Sequence, residues 1–537
     1  MAHFFLRTVM NGRLEIFTDE RIVNSENIIS VLQNAFVKHE VNVARMNFLL
    51  NYEEGVQPLK RKKTYRPDID CEAVDNLANE ITEFKLGYNW GFPITLVQRG
   101  ERDKDNLLND FDDEVPPISK EAQAITIINE CYDAENSSAK TQKLGRFIEI
   151  CGVGYTYVDG KSEWNEGDSY FQYEVLDPRY AFVVRSSYYL DKRVMLGVSY
   201  SVDTLGQKHI TAITKDAVYR INSLYRFNKN GEIRKDRKGN VIVDWEVDDE
   251  IIANPLGIIP ITEYIRSYDR MGCFERQISE MDNLNLLVSD FTNDVDQNTQ
   301  AVWHTNDVDL QETATDDEGR TVTKDHKPRS NEWVHTFTTP DGKTPFIKPL
   351  TIDYDYNGML SNIVSRRALI LQKCYVPQRT ENTNGATGIA TGDATGWSAA
   401  ETQACKQEMI TKSCKRNELK VVLAVIKKSP NVEADSPLNE VEYSDIEINV
   451  KRQRTYEMTA KINAYATGVK HGIAPEHMIY AINMFDDPQQ TYEDSKPYIK
   501  KFLESTFTSP EEETRPDEDK LNGDNADQID NSPNMMV

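Results

Sequence analysis

Residues 274–295 read FERQISEMDNLNLLVSDFTNDV, and this stretch decides the architecture of the chain. Its apolar side chains recur at steps of three and four residues, which places them on one stripe of an α-helix. The stripe comprises Phe274, Ile278, Met281, Leu284, Val288, Phe291 and Val295. The other faces are mainly acidic and include Glu280, Asp282, Asp290 and Asp294. A long helix with this division needs a partner surface for its apolar side.

A second helical pattern follows the excursion at residues 303–350 and ends at Pro377. Its apolar positions are Leu360, Ile363, Val364, Ile370, Leu371 and Cys374. Turn signals at 317–319 and 340–342 predict a small strand-bearing excursion that leaves and returns, so the two helices should run side by side. Periodicity alone favours a simpler interpretation, an ordinary helical hairpin in a large core.

A glycine-rich loop comes next, since residues 383–396 read TNGATGIATGDATG and repeat Ala-Thr-Gly three times. Glycine permits positive φ and removes side-chain bulk, so the sequence predicts a mobile loop that can approach another surface closely. Ser398 and Glu401 have the spacing of a capping box, which predicts a third long helix reaching Lys428.

The rest of the chain predicts a multi-domain α+β protein. An amphipathic helix around Leu77, Ile81 and Phe84 should end at Gly87, the usual residue after a helix. Residues 140–265 combine a helix with short strands and turns, and two further helices follow residue 450. The chain after Ser509 is acidic and nearly devoid of apolar residues, so it should be disordered.

Composition limits the function classes. The chain has 537 residues and a net charge of −25, so its average surface repels nucleic acid, because phosphate binding needs Lys and Arg. We find no apolar run long enough to span a membrane. The seven cysteines are scattered and contain no C-x-x-C pair, which fits a reducing compartment.

The sequence contains no complete motif for nucleotide binding, zinc binding or serine-based catalysis. Residues 160–162 read GKS, but Tyr155 stands where a phosphate-binding loop needs its first glycine. The eight histidines form no zinc-binding pattern, and no G-x-S-x-G sequence occurs. We therefore expect no enzyme, no metal and no cofactor.

Several short motifs precede the long helix in succession, and the resemblance that they carry covers roughly residues 25–430. They are Arg45 with Tyr52-x-x-Gly55, Asn76-Leu-Ala-Asn-Glu-Ile81, Gly87-Tyr88 with Gly91-Phe-Pro-Ile94, Gly152-Val-Gly-Tyr155 with Leu176-Asp-Pro178, and Asn254-Pro-Leu-Gly-Ile-Ile-Pro260. In order and spacing they resemble the portal, or head-to-tail connector, proteins of long-tailed bacteriophages that infect Gram-positive hosts. The glycine-rich loop is more neutral here than that family leads one to expect.

The resemblance implies a portal-like division of the chain. Residues 1–267 and 398–450 would form a wing, and residues 268–302 and 351–377 the two stem helices. Residues 303–350 would be the clip, 378–397 a tunnel loop, 451–505 a crown and 506–537 a disordered acidic tail. Family members form twelve-fold rings, in which apolar stripes find partners on the same and neighbouring subunits.

The resemblance also implies a function. A ring at one capsid vertex of the virion, assembled in the host cytoplasm, would form the channel through which double-stranded DNA is packaged and ejected. Its implied partners are the large terminase subunit that drives packaging, head-tail adaptor proteins, and the major capsid and scaffolding proteins, with no membrane. The tunnel loop would present Asn384, Gly385, Thr387, Gly388, Thr391, Gly392, Asp393 and Gly396 to the DNA.

Within the stem, the acidic residues named above would face the channel or a neighbouring subunit and keep the duplex free to slide. Arg366, Arg367 and Lys373 are the exceptions; they either pair with the acids of the first helix, which we favour, or form sparse cationic rings. Stem packing would involve Ile278, Met281, Leu284, Val288, Phe291, Ile363 and Ile370. Composition equally allows a non-viral acidic oligomeric scaffold with a helical-hairpin arm, whereas a DNA-processing enzyme lacks any motif.

Overall fold

The computed structural model describes residues 12–59, 70–99, 120–226, 243–299, short strands between 302 and 350, 355–378, 396–452 and 457–499, with small gaps inside several ranges. The chain divides into two compact units, Met1–Arg454 and Thr455–Val537. Tunnel-loop positions 384–393 and the tail at 506–537 lie outside the described residues, so the expectations for them stay predictions.

Nine α-helices lie within the part of the chain that the structure describes. In chain order they are α1 (Ile28–Glu53), α2 (Leu77–Trp90), α3 (Lys120–Ala134), α4 (Ser137–Cys151), α5 (Ile278–Thr299), α6 (Tyr356–Lys373), α7 (Trp397–Lys428), α8 (Glu457–Lys470) and α9 (Pro475–Ile482). Short 3₁₀ turns occupy Glu275–Gln277, directly before α5, and Pro437–Asn439.

Strands dominate between α4 and α5. They are β1 (Phe17–Thr18), β2 (Thr95–Gln98), β3 (Val153–Gly160), β4 (Phe171–Leu176), β5 (Ala181–Ser186), β6 (Val194–Val202), β7 (Lys208–Ile213), β8 (Ala217–Tyr225), β9 (Val243–Val247), β10 (Ile252–Ala253), β11 (Ile261–Ile265), β12 (Val302–Asn306), β13 (Gln311–Thr315), β14 (Thr321–Asp325), β15 (Phe346–Leu350) and β16 (Ile446–Asn449).

The largest sheet is a meander in the order β1-β5-β6-β7-β8, with β9 and β10 both paired to β8. All its pairings are antiparallel except that of β1 with β5. A second sheet has the order β11-β3-β4, and β16 pairs with β2. This combination of helices and mostly antiparallel sheets confirms the predicted α+β class.

The first core lies between α1, the large sheet and the start of α5. Leu32 and Phe36 of α1 meet Phe182, Val198 and other inward-facing residues of the sheet. The Phe36 ring contacts that of Phe182 edge-on, with centroids 5.3 Å apart. Because Phe274 belongs to the same buried cluster, the base of the first stem helix is anchored in the wing core.

The second core joins α3, α4, β3 and β4 to the last turns of α7. Its buried members include Ile128, Leu144, Phe171 and Ile426. Close packing of α4 on α2 depends on Gly145, because a Cβ there would lie only 2.5 Å from Cγ of Trp90. The C-terminal half of α7 is therefore part of the second core.

Two predicted helix boundaries are wrong. The helix α2 continues through Gly87 to Trp90, because Tyr88 and Trp90 are buried and their packing outweighs the helix-ending preference of glycine. At α7 the capping residue is Gly396 with a φ of 88°, so the helix begins before Ser398 and no capping box forms. Glu401 instead binds Tyr88 and Arg452.

The second unit contains α8 and α9, the two helices expected after residue 450, and α9 begins at Pro475. Ile479 and Ile482 of α9 are buried. Among the residues that the structure describes, no helix is long and apolar enough to cross a membrane. The same residues bring together no group of three or more potential metal ligands.

Candidate functional site: the stem helices and the segments that anchor them

The apolar stripe of α5 is deeply buried at its start and less so towards its end. Phe274, Ile278, Met281 and Leu284 are each at most 3% exposed. Val288 and Phe291 are half-buried, and Val295 is 42% exposed. The stripe therefore leaves the wing core after about two turns and continues into a region that this chain covers only in part.

The second stem helix, α6, packs beside α5 in the opposite direction. Phe291 near the end of α5 meets Tyr356 at the start of α6, with ring centroids 6.0 Å apart. At the other end, Ile370 is buried in the first core, and Ile363 packs against that core from the middle of α6. Leu360 and Val364 are 51% and 58% exposed, so a second apolar side of α6 has no cover within the described chain.

The cations of α6 do not all pair as predicted. Arg366 lies 3.9 Å from Glu280 of α5 and donates a hydrogen bond to Asn362 within its own helix. Among the described residues, Arg367 binds no acid of α5; it donates to both carboxylate oxygens of Asp75, at 2.8 and 2.9 Å, and to Glu80 of α2 at 2.5 Å. The expectation for Arg367 is wrong because two other acids lie within its reach, Asp75 just before α2 and Glu80 within α2. Lys373 is exposed.

The acids of α5 differ in their surroundings. Asp282 accepts a hydrogen bond from the Tyr52 hydroxyl of α1 at 3.0 Å, so it contributes to the anchoring of α5. Asp290 is exposed, whereas Glu280 and Asp294 are half-buried. The acidic surface expected for a channel is therefore reduced by one residue, Asp282, which has a structural partner.

A row of uncharged polar residues on α5 is the feature that sequence reasoning missed. Asn285, Ser289 and Asn293 are spaced four residues apart and are at most 2% exposed. We call them the polar ladder. Their side chains bind the backbone of the extended segment 70–76, which we call the strap. The signal was present in the sequence as an uncharged i, i+4, i+8 row beside the apolar stripe.

The ladder matches alternate residues of the strap. Asn293 accepts from the Cys71 amide at 2.7 Å and donates to the Cys71 carbonyl at 3.1 Å. Ser289 exchanges hydrogen bonds with both backbone groups of Ala73, and Asn285 accepts from the Asp75 amide at 2.9 Å. Two extended residues advance about 6.6 Å and four helical residues about 6.0 Å, so successive rungs stay in register.

A buried charge network joins α2, α4 and α7. Glu149 of α4 accepts from Arg266 at 2.9 Å, from Trp90 at 3.1 Å and from Gln407 of α7. Burial alone would raise the pKa of the Glu149 carboxyl, but the Arg266 guanidinium and these hydrogen bonds outweigh burial and lower the pKa. Since the carboxylate links α2, α4 and α7, it holds these helices together as a charged group.

A second buried carboxylate, Glu418 of α7, serves the same purpose within the wing. It accepts from Tyr132 at 2.9 Å, Thr156 at 2.9 Å and Tyr264 at 2.7 Å, and Lys415 lies 2.6 Å away. Desolvation and the negative charge of Glu418 raise the pKa of the Tyr132 and Tyr264 hydroxyls well above their ordinary value, so both stay protonated donors.

Two strand pairs form the described part of the excursion between the stem helices. β12 pairs with β15 in an antiparallel register that matches Val302 with Leu350. β13 and β14 form a hairpin around Gly319, whose φ of 74° suits a tight turn. The ends of α5 and α6 are thus connected through antiparallel strands, as the leave-and-return pattern indicates. Of the tunnel-loop residues, Gly396 lies in the described part, at the start of α7.

A family model now gives this arrangement a context. The model described as "Phage portal protein, SPP1 Gp6-like" matches residues 37–500, most of the chain. The chain belongs to this phage portal protein family. The family resemblance drawn from the order of the sequence motifs is therefore confirmed, and the mixed α+β structure is consistent with a portal protein.

Other comparisons add little detail. No curated protein matches the sequence significantly. A solved chain described as "Neck of empty GTA particle computed with C6 symmetry" is 10% identical, with a TM-score of 0.33, and covers 78% of this chain and 92% of that chain. A TM-score this low does not establish a shared fold. Portal family membership itself places the chain among virion proteins that form oligomeric rings with head and tail partners.

Proposed function

We propose that this portal protein forms a ring at one capsid vertex whose stem helices pack against those of neighbouring copies. The uncovered apolar side of the stem carries this proposal. Leu360 and Val364 lie one turn apart on α6, and both are more than half exposed, although neighbouring Ile363 is partly buried against the first core. A head-to-tail neighbour in a ring would bury such residues without requiring the same patch on both partners.

The ring would form the channel for double-stranded DNA during packaging and ejection. Asp290 is exposed on α5, Asp294 one turn later is partly exposed, and so is Glu280 near the start of the helix. With a net charge of −25 per chain, a channel of this composition would offer few cations to neutralise phosphates, so the duplex could slide. The clip strands between α5 and α6 would dock the packaging motor and the tail adaptors.

We further propose a twelve-fold ring, contacts with capsid and scaffolding proteins, and no catalytic activity. The buried carboxylates Glu149 and Glu418 support a non-enzymatic role, because each accepts hydrogen bonds that join helices: Gln407 of α7 binds Glu149 of α4, and Tyr132 of α3 binds Glu418 of α7. Motor, adaptors and capsid would then supply every chemical step of packaging.

Electron microscopy of the purified protein tests the proposal. Rings with a central hole are expected from the wild type, and the variant with Leu360→Asp and Val364→Asp should give folded monomers, because charges on an exposed surface spare the fold but oppose burial. Ser365→Asp on the same helix is the matched control, and its rings should persist. Normal rings from the double variant would exclude this side of α6 as an interface.

A further inference from the structure

The residues that follow the end of α6 and those that begin α7 both contact the same helix, α2. After α6 the chain turns at Tyr375, and after the segment at 379–395 it enters α7 at Trp397. Both Tyr375 and Trp397 contact α2, within the single turn from Phe84 to Tyr88. One turn of helix spans about 6 Å, so the two contacts are close neighbours.

The first contact holds a strained residue. Tyr375 has a φ of 58°, a left-handed conformation that costs a residue other than glycine about 1–2 kcal/mol. Lys85 of α2 is 2% exposed, and its ammonium donates to the Tyr375 carbonyl at 3.2 Å. The same ammonium lies 5.4 Å from the centroid of the Phe84 ring and 5.9 Å from that of Tyr375. The buried positive charge of Lys85 thus offsets the partial negative charge at the C-terminal end of α6, at the residue where the chain reverses.

The second contact is aromatic. The Trp397 ring packs against Phe84 and Tyr88, with centroids 5.9 and 5.7 Å apart. Phe84 and Tyr88 stack on each other at 5.7 Å, and the Tyr88 hydroxyl donates to Glu401 in the first turns of α7. The start of α7 is therefore fixed by side chains, because the capping residue Gly396 offers no side chain of its own.

The Phe84 ring lies beside both contacts: its centroid is 5.4 Å from the Lys85 ammonium that binds the Tyr375 carbonyl, and 5.9 Å from the centroid of the Trp397 ring. We propose that the face of α2 formed by Phe84, Lys85 and Tyr88 is a positioning platform, which sets where α6 ends relative to where α7 begins. Loss of the Phe84 ring removes a neighbour of the Lys85 ammonium, which holds the end of α6, and of the Trp397 ring at the start of α7, so it should loosen both ends. The platform is also tied to α6 through Glu80 and Arg367 and to α4 through Asn89 and Glu149. Any effect of this platform on DNA transport rests on the proposed portal function.

Hydrogen exchange measured by mass spectrometry on the full-length protein tests the platform directly. The reporters are the Tyr375 and Val376 amides, which bond to Gln372 and Leu371, and the Ala400 amide, which bonds to Gly396. Phe84→Ala should speed exchange about three- to tenfold at both ends, the range expected for lost aromatic pairs. Lys85→Met should speed exchange about ten- to a hundredfold at the first end alone, because a charged hydrogen bond is lost.

Phe48→Ala is the matched control. Phe48 is also half-buried, packs on the first core and contacts a tyrosine four residues later on its own helix. It should leave all three reporter amides unchanged. Faster exchange at only one end in Phe84→Ala, or equal effects in Phe48→Ala, would overturn the platform.

A second variant guards against a general loss of folding. Adding Tyr375→Gly to Lys85→Met should return the first end to within about threefold of wild-type exchange, because glycine adopts positive φ without strain. No recovery would show that Lys85 does not act through Tyr375.

Packaged DNA per particle is then measured for Phe84→Ala: a decrease with intact rings supports the link to transport. Wild-type packaging with loosened ends refutes that link, whereas absent wild-type rings refute the portal function instead.

Discussion

Removing one rung of the polar ladder should release the strap from the stem helix. Asn293→Ala deletes two hydrogen bonds between the side chain and Cys71, of 2.7 and 3.1 Å. Each buried hydrogen bond contributes about 1 kcal/mol net, so the strap should lose about 2 kcal/mol of local stability at this rung. That change corresponds to roughly a thirtyfold increase in the population of the open strap.

The loss should remain local. Asn293 also donates to the Ser289 carbonyl at 2.7 Å. That carbonyl lies within α5, so it can still accept the backbone hydrogen bond of the helix when the side chain is removed. Ser289 and Asn285 still hold Ala73 and Asp75, so the remaining rungs should open less than the first. Changing Asn285, Ser289 and Asn293 together to alanine should free the whole strap.

Amide hydrogen exchange of the Cys71 and Ala73 peptide measures the effect. The expected result is exchange about thirtyfold faster at Cys71 in Asn293→Ala, with a small effect at Asp75. Asn283→Ala is the control, since Asn283 is an exposed asparagine on the same helix. Unchanged exchange at Cys71, or an equal increase in the control, would refute the ladder as the force that holds the strap.

Three further predictions concern stability and transport. Burial lowers the pKa of His39 from its ordinary 6.5 to about 4. About 3 kcal/mol of stability should therefore be present above pH 6.5 and be lost as the pH falls towards 4. In thermal unfolding, the melting temperature of His39→Gln should fall less between these two pH values than that of the wild type. Glu149→Gln should cost about 3–5 kcal/mol in chemical denaturation, because Arg266 keeps a buried charge without its counter-ion. Replacing Gly388 and Gly392 with proline should lower packaged DNA per particle and leave rings visible by electron microscopy, and wild-type packaging would remove these glycines from the mechanism.

The periodic part of the chain was predictable. The apolar steps of three and four from Phe274 located α5, and Pro377 placed the end of α6 to within a few residues. Both signals arise from the geometry of a single helix, which any amphipathic sequence must satisfy. The order of short motifs likewise led to the portal family, which the match over residues 37–500 confirms.

Prediction failed where a local signal met a stronger tertiary contact. Gly87 is a plausible helix end, yet α2 continues because Tyr88 and Trp90 have buried partners beyond it. Ser398 and Glu401 have capping-box spacing, but Glu401 is drawn to Tyr88 and Arg452. In both cases the energy of a distant contact exceeds the preference of about 1 kcal/mol that the local motif offers.

By itself the sequence determined the class of structure, the two stem helices and the family, because each depends on patterns within a short stretch or on the order of stretches. Tertiary structure alone decided which polar groups are buried and what they bind. Asn285, Ser289 and Asn293 have the composition of a solvated helix face, and the strap that pairs with them lies about two hundred residues away in the chain. A buried polar side chain is stable only when such a partner satisfies it, and the partner's position is a property of the fold.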